Sequence, residues 1–254
     1  PTAASLAYGI GLDRDQQENI AVYDLGGGPF DVSILHIEDG IFEVLATNGD
    51  TFLGGDDIDN GIVNLWKSQG SVDTVGISIL KHEAEKAKIA LSHNASFKSQ
   101  IDGIDISLTV DDLNQIMAPI IQKTLECCQR AMKDAGLTNS DLDHVVLVGG
   151  STKSNIIKKA VSDFFKKTPA EHVNPDEVVA QGAAIQADIL AGNRKDLLLL
   201  DITPLSLGIE TVGGLMDVII PRNTSIPIKA AREYTTSIDG QTNLKVSIYQ
   251  GERD

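Results

Sequence analysis

The sequence predicts an α/β fold, a mixed sheet with helices, followed by the opening of an all-β segment. Three observations carry that prediction. Period-two and buried apolar runs come first, split by Asp39-Gly40, a strong hairpin signal. Helical periodicity then alternates with one further buried strand as far as Gly192. From Leu205 onward the helical pattern stops, and short strands separated by turn residues replace it.

Taken in order, Asn19 to Asp24 is a short strand running into three glycines. Val32 to Glu38 and Ile41 to Ala46 flank Asp39-Gly40 and complete a three-strand meander. A helix is expected from Asp57 to about Lys67, and a second from Ile79 to Leu91, where Leu80, Ala84, Ala87 and Leu91 recur at three and four residues. Ser96 to Leu108 reads as a hairpin turning at Asp102-Gly103. Asp111 is the expected cap of a long amphipathic helix that ends at Ala135 and Gly136. His144 to Val148 is a buried strand, followed by a helix from about Ser151 to Lys166. Asn174-Pro175 supplies an N-cap and first turn for a helix to Ala191. The expected organisation is an α/β unit over 1–192, a connecting segment over 193–201, and β strands over 202–254, with turns at Gly213-Gly214 and Asp239-Gly240.

Composition removes several function classes. The 254 residues are 42% hydrophobic and 22% charged, enough for a sizeable core. No apolar run approaches the roughly 18 residues of a membrane span, and no secretory signal opens the chain. The opening Pro1-Thr2 reads as a processed or truncated start. A net charge of −15 argues against nucleic acid or an anionic membrane as partner. Cys127 and Cys128 are adjacent on a helix and point about 100° apart, which suits buried packing residues in a reducing cytosol. His36, His82, His93, His144 and His172 are scattered, and Lys86 stands where a zincin helix after His82-Glu83 needs its second histidine.

Three glycine segments point to a phosphate-bearing ligand. Asp24-Leu-Gly-Gly-Gly-Pro-Phe-Asp31 joins two strands, lets backbone N–H groups approach an anion, and flanks that approach with carboxylates suited to a hydrated cation. Alone, such a turn equally fits a tight hairpin. Gly54-Gly55-Asp56-Asp57 opens a helix, and Val145-Val-Leu-Val-Gly-Gly-Ser-Thr152 joins a buried strand to a helix. Both place flexible backbone at a helix N-terminus, where anions and nucleosides bind in α/β folds.

Together with Glu85-Lys-Ala-Lys-Ile-x-Leu-Ser92, Asn174-Pro-Asp-Glu-x-Val-Ala-x-Gly-Ala-Ala184 and Asp196-Leu-Leu-Leu-Leu-Asp201, these segments resemble the DnaK-type heat-shock chaperones over the whole chain. Phe42-Glu-Val-Leu-Ala-Thr47, Ala184-Ile-Gln-Ala-Asp-Ile-Leu190, Ile220-Pro-Arg-Asn-Thr224 and Asp239-Gly-Gln-Thr242 look most like its iron–sulfur-cluster-assembly branch, HscA. The resemblance implies that residues 1–192 form the second lobe of an actin-like ATPase, with the first lobe and most of the peptide-binding domain outside the chain. It further implies ATP or ADP with magnesium, and potassium as a second cation. The implied partners are a client polypeptide such as an iron–sulfur scaffold protein and a J-domain co-chaperone, in the cytoplasm.

By the same resemblance, Gly26, Gly27 and Gly28 contact the phosphates, and Asp24 and Asp31 hold magnesium through water and orient the attacking water. Gly54 and Gly55 border that site. Glu85, Lys88 and Ser92 meet ribose and adenine, and Gly149, Gly150, Ser151 and Asp176 close the purine side. The spacing of Glu85, Lys88 and Ser92 does place them on one helix face, although a solvated Glu–Lys face has the same pattern. The chain departs from the family at Pro29, where the family has threonine, and at Lys153, where it has an adenine-stacking arginine; residues 67–78 are also shorter. Leu197, Leu198, Leu199 and Leu200 resemble the family's interdomain linker, with all four expected to be buried when it docks. Without the resemblance they read as a plain strand. Ile209, Val212, Leu215, Tyr234, Leu244 and Val246 match positions of the family's peptide groove, and equally fit ordinary core. Other readings are a general folding chaperone of the same family, an actin-like sugar or acetate kinase, and a peptide-binding module without catalysis.

Overall fold

Apolar side chains on both faces of the first strands fix the architecture. The computed structural model of the chain describes residues 1–9, 17–70, 72–170, 174–236 and 238–252. Helix α1 (Thr2–Tyr8) precedes β1 (Glu18–Leu25), β2 (Phe30–Glu38) and β3 (Ile41–Asp50), which form the expected antiparallel meander. In β1, Ala21, Tyr23 and Leu25 enter one core while Ile20 and Val22 enter the other. A strand buried on both faces needs cover on both, and the chain supplies it.

Helices α2 (Gly55–Ser68) and α3 (Ile77–Ala90) come next, then the hairpin of β4 (Ser96–Ile101) and β5 (Ile104–Thr109), and then α4 (Val110–Asp134). Strand β6 (His144–Val148) leads through a 3-10 turn, Gly150–Lys153, into α5 (Asn155–Phe165), and α6 (Val178–Leu190) follows. Residues from α2, α3, α4 and α5 fill the larger core, around Trp66, Tyr23, Phe30 and Phe165. Helices α1 and α6 cover the opposite face. Strand β6 adds parallel to β1 and β7 (Leu198–Leu200) adds parallel to β3, giving a mixed sheet ordered β6-β1-β2-β3-β7. A small antiparallel sheet, β10-β8-β9, contains β8 (Leu207–Glu210), β9 (Met216–Ile220) and β10 (Ile248–Gln250).

Several local expectations need correction. Helix α1 is short and bears no clear period in the sequence; it exists because Ala4, Leu6 and Tyr8 are buried against the sheet and α6. The long helix is capped by Thr109, not Asp111. Thr109 Oγ1 accepts from Asp112 N at 3.1 Å, and Asp112 Oδ2 accepts from Thr109 N at 3.0 Å. Asp111 instead lies in the first turn, where the helix dipole favours it. The stretch after β6 is not one helix, because Ser154 adopts an extended backbone between the 3-10 turn and α5. Helix α6 begins at Val178, since Asn174 to Glu177 form a turn first. Alternation from Leu244 predicts a strand, but contact with β8 begins only where Glu210 N donates to the Ser247 carbonyl at 3.0 Å and the register pairs start at Ile248.

The leucine segment is part of the five-stranded sheet. Period-two geometry turns Leu197 and Leu199 onto the core shared with α1 and α6, while Leu198 is 47% exposed. In this chain the segment therefore has two faces, one on the core and one turned outward. Beyond it, Ile202 is buried in the same core. Asp134 at the end of α4 pairs with Arg222 Nη2 at 2.9 Å and accepts from Asn223 Nδ2 at 3.3 Å. Thr47 N donates to Asn223 Oδ1 at 3.2 Å. No helix among the described residues is long and apolar enough to cross a membrane.

Candidate functional site

The three glycine segments converge at one end of the sheet. Strands β1 and β6 run parallel and finish together, Asp24 opposite Val148, so the turn after β1 lies beside the Gly149-Gly150 turn. Gly149 has φ +88, and a Cβ there would lie 2.4 Å from the Leu25 carbonyl oxygen. The N-terminus of α2 closes the third side. Gly55 N donates to the Gly26 carbonyl at 2.8 Å and Asp56 N to the Gly27 carbonyl at 2.7 Å. A Cβ on Gly54 would lie 2.1 Å from the Gly28 carbonyl oxygen, so only glycine allows this approach.

Those contacts revise the part expected of Gly54 and Gly55. The first N–H groups of α2 are satisfied by the turn's carbonyls, and Gly54 N by Asp57 Oδ2 at 2.8 Å. The helix therefore shapes the glycine turn and does not offer those N–H groups to an anion. The Gly26 and Gly27 carbonyls are held by α2, while Gly27 and Gly28 are exposed. Pro29 is exposed beside them and has no N–H.

Asp24 and Asp31 face each other across the β1–β2 pair. Burial raises both carboxyls above their ordinary range; the Pro1 amine, 3.7 Å from Asp24, opposes this for both, and Asp31 adds to the rise at Asp24. The described residues contain no cluster of three or more metal-ligating side chains. Two carboxylates beside the glycine turn nevertheless suit magnesium, which keeps several waters and takes one or two carboxylates plus substrate phosphates.

A stability prediction follows from the raised carboxyls. A carboxyl raised in the folded chain favours folding at acid pH, and that contribution is lost as pH rises through its folded titration range. Asp31→Asn should therefore raise the metal-free chain's melting temperature at pH 7. The gain should shrink at acid pH, where Asp31 is itself protonated. Melts without magnesium across that range check it, and a lower melting temperature at pH 7 refutes it.

Lys88 Nζ pairs with Asp59 Oδ1 at 2.8 Å and donates to the Gly55 carbonyl at 3.3 Å, tying α3 to the start of α2. Glu85 lines a cleft of about 300 Å³ with Asp56, Asp59, Lys81 and His82. Ser92 lies beyond the end of α3, its N–H bonded to the Ile89 carbonyl. Ser151 Oγ donates to the Gly26 carbonyl at 3.3 Å, joining the turn after β6 to the glycine turn after β1. Lys153 Nζ pairs with Asp176. His172 lies outside the described residues.

The whole chain, residues 1–254, matches the family model described as Hsp70 protein. The chain belongs to the Hsp70 family. Among curated relatives it is 51% identical over 264 residues to the chaperone protein HscA homolog of Vibrio cholerae. It is 50% identical over 260 residues to the HscA homolog of Aliivibrio salmonicida, and 48% over 260 residues to the chaperone protein HscA of Pectobacterium atrosepticum. Each match covers 100% of this chain and 42% of the relative, so the chain spans about two fifths of their length. The resemblance of the sequence to DnaK-type chaperones, and within them to HscA, is borne out.

Against that Hsp70 background, the structure brings Asp24, Asp31, Gly26, Gly27, Gly28, Gly149, Gly150 and Ser151 to one end of the sheet. It adds Asp59, which the sequence did not single out. An aspartate at the fifth position of a helix signals nothing until a lysine 29 residues away is folded against it. The positions matched to the peptide groove lie apart from this site. Ile209 is in β8, while Val212, Leu215, Tyr234, Leu244 and Val246 are all exposed.

Proposed function

We propose that this chain forms the nucleotide-binding and linker part of an ATP-dependent chaperone serving iron–sulfur cluster assembly. The observation that carries the reading is that one sheet holds the glycine turn at one end and the leucine segment on its β3 edge. The iron–sulfur role rests on the likeness to HscA. A sugar or acetate kinase with similar glycine turns is disfavoured by the leucine strand and the second sheet behind it.

In this reading the glycine turn, Gly26 to Gly28, receives the phosphates, and Asp24 and Asp31 hold waters around magnesium. Bound magnesium would neutralise phosphate charge and fix the attacking water. Lys88, fixed by Asp59, and Glu85 border the ribose, and Ser151 with the Lys153–Asp176 pair flanks the purine. ATP or ADP is the ligand, with potassium as an additional candidate cation. A client polypeptide engages Ile209 and the exposed Val212, Leu215, Tyr234, Leu244 and Val246, and a J-domain co-chaperone stimulates turnover.

The 254-residue chain alone should give no steady ATP hydrolysis, because Gly27 and Gly28 face solvent and contact phosphate from one side only. Phosphate release by the purified chain with magnesium-ATP tests this. Sustained turnover that Asp24→Asn abolishes would contradict it. The function itself is tested in the complete protein, whose ATPase should rise with client peptide and J-domain partner; no response to either refutes the reading.

A further inference from the structure

The chain contains two Asp-Gly hairpin turns of nearly identical backbone. Asp39 and Gly40 have φ 50 and 78, and Asp102 and Gly103 have φ 50 and 85. Turns of this kind need positive φ at both central positions, which asparagine and aspartate also adopt. The two turns differ in their surroundings. Nothing lies within 4 Å of a Cβ built on Gly103, whereas one on Gly40 would lie 2.4 Å from the Asp196 carbonyl oxygen and 3.6 Å from Leu197 Cδ2. The same Gly40 accepts, through its carbonyl, the N–H of Leu198 at 3.0 Å.

We propose that Gly40 is the positioning residue that admits the leucine segment to the sheet: its carbonyl starts the β3–β7 pairing, and its missing Cβ makes room for the Asp196 backbone. The proposal rests on reading Leu197 to Leu200 as a docking segment, and deepens it by naming what controls docking from the lobe's side. The obstructing atom is a backbone oxygen, so no rotamer change relieves the contact. Any side chain at position 40 pushes the segment away before the first register pair, Ile41 with Leu198, can form. The turn itself tolerates asparagine, so docking can be lost while hairpin, leucines and core stay intact.

The test compares Gly40→Asn and Gly40→Ala with the matched variants Gly103→Asn and Gly103→Ala in the 254-residue chain. Hydrogen exchange is read on the peptide spanning Leu197 to Leu200, alongside thermal melting. Local opening governs exchange at such an edge strand, so exchange should rise about tenfold or more in the Gly40 variants and stay within about twofold in the Gly103 variants. Parent-like protection in Gly40→Asn overturns the proposal and leaves the docking reading standing. Equal loss in the Gly103 variants overturns it as general turn strain. Loss of a cooperative melt in both Gly40 variants, with both Gly103 variants folded, also overturns it, because Gly40 then serves the whole sheet. An unprotected Leu197 to Leu200 peptide in the parent overturns the docking reading and the proposal together.

Discussion

Leu197→Asp with Leu199→Asp in the complete protein should abolish peptide stimulation of the ATPase and ATP-driven peptide release, while basal nucleotide binding survives. These two side chains pack on the core formed by α1, α6 and the sheet, where they are partly buried. A fully covered leucine contributes roughly 1.5–3 kcal/mol, and a partly covered one about half of that. Losing that burial at two positions should therefore cost about 1.5–3 kcal/mol of docking, comparable to a typical allosteric coupling of about 1–3 kcal/mol. Leu198→Asp is the contrasting variant. Leu198 is 47% exposed, so its substitution should leave most coupling intact. A melt near the parent temperature with coupling lost supports a docking segment. Collapse of the melt in the double variant means the leucines are ordinary core, and equal loss of coupling in Leu198→Asp means the face assignment is wrong.

Pro29→Thr in the complete protein should raise the single-turnover hydrolysis rate at least about tenfold, since loss of one transition-state donor can cost roughly 100- to 1,000-fold. Pro29 is exposed in the turn between Asp24 and Asp31, beside Gly27 and Gly28. Threonine restores one backbone N–H and one hydroxyl there. Nucleotide affinity should change less, because Lys88, Glu85 and Ser151 lie on other elements. The turn's carbonyls are already engaged by Gly55, Asp56 and Ser151, so the substitution leaves its scaffold unchanged. Equal rates in parent and variant would show that this turn does not touch the transferring phosphate.

The sequence by itself determined the features that a few consecutive residues encode. Asp39-Gly40 and Asp102-Gly103 set two hairpins because positive φ at both turn positions suits those residues. The recurrence of Leu80, Ala84 and Ala87 set α3, and the glycine segments marked the strand ends where the site forms. The family likeness rested on the same local motifs. Tertiary structure alone decided the rest, because the deciding partners are far apart in the chain. Lys88 finds Asp59 across 29 residues, and Thr47 finds Asn223 across 176. Thr109 became the cap of α4 where Asp111 was an equally good local choice. Helix α1 exists only because sheet and α6 bury it, since an isolated seven-residue segment cannot repay helix nucleation. The leucine run is the clearest case. Its composition suits either a strand or a linker, and only pairing with β3 separates Leu197 and Leu199, on the core, from Leu198, which faces out. Local propensity fixes which residues form a strand; which edge it joins, and which face it buries, depends on surfaces assembled from distant parts of the chain.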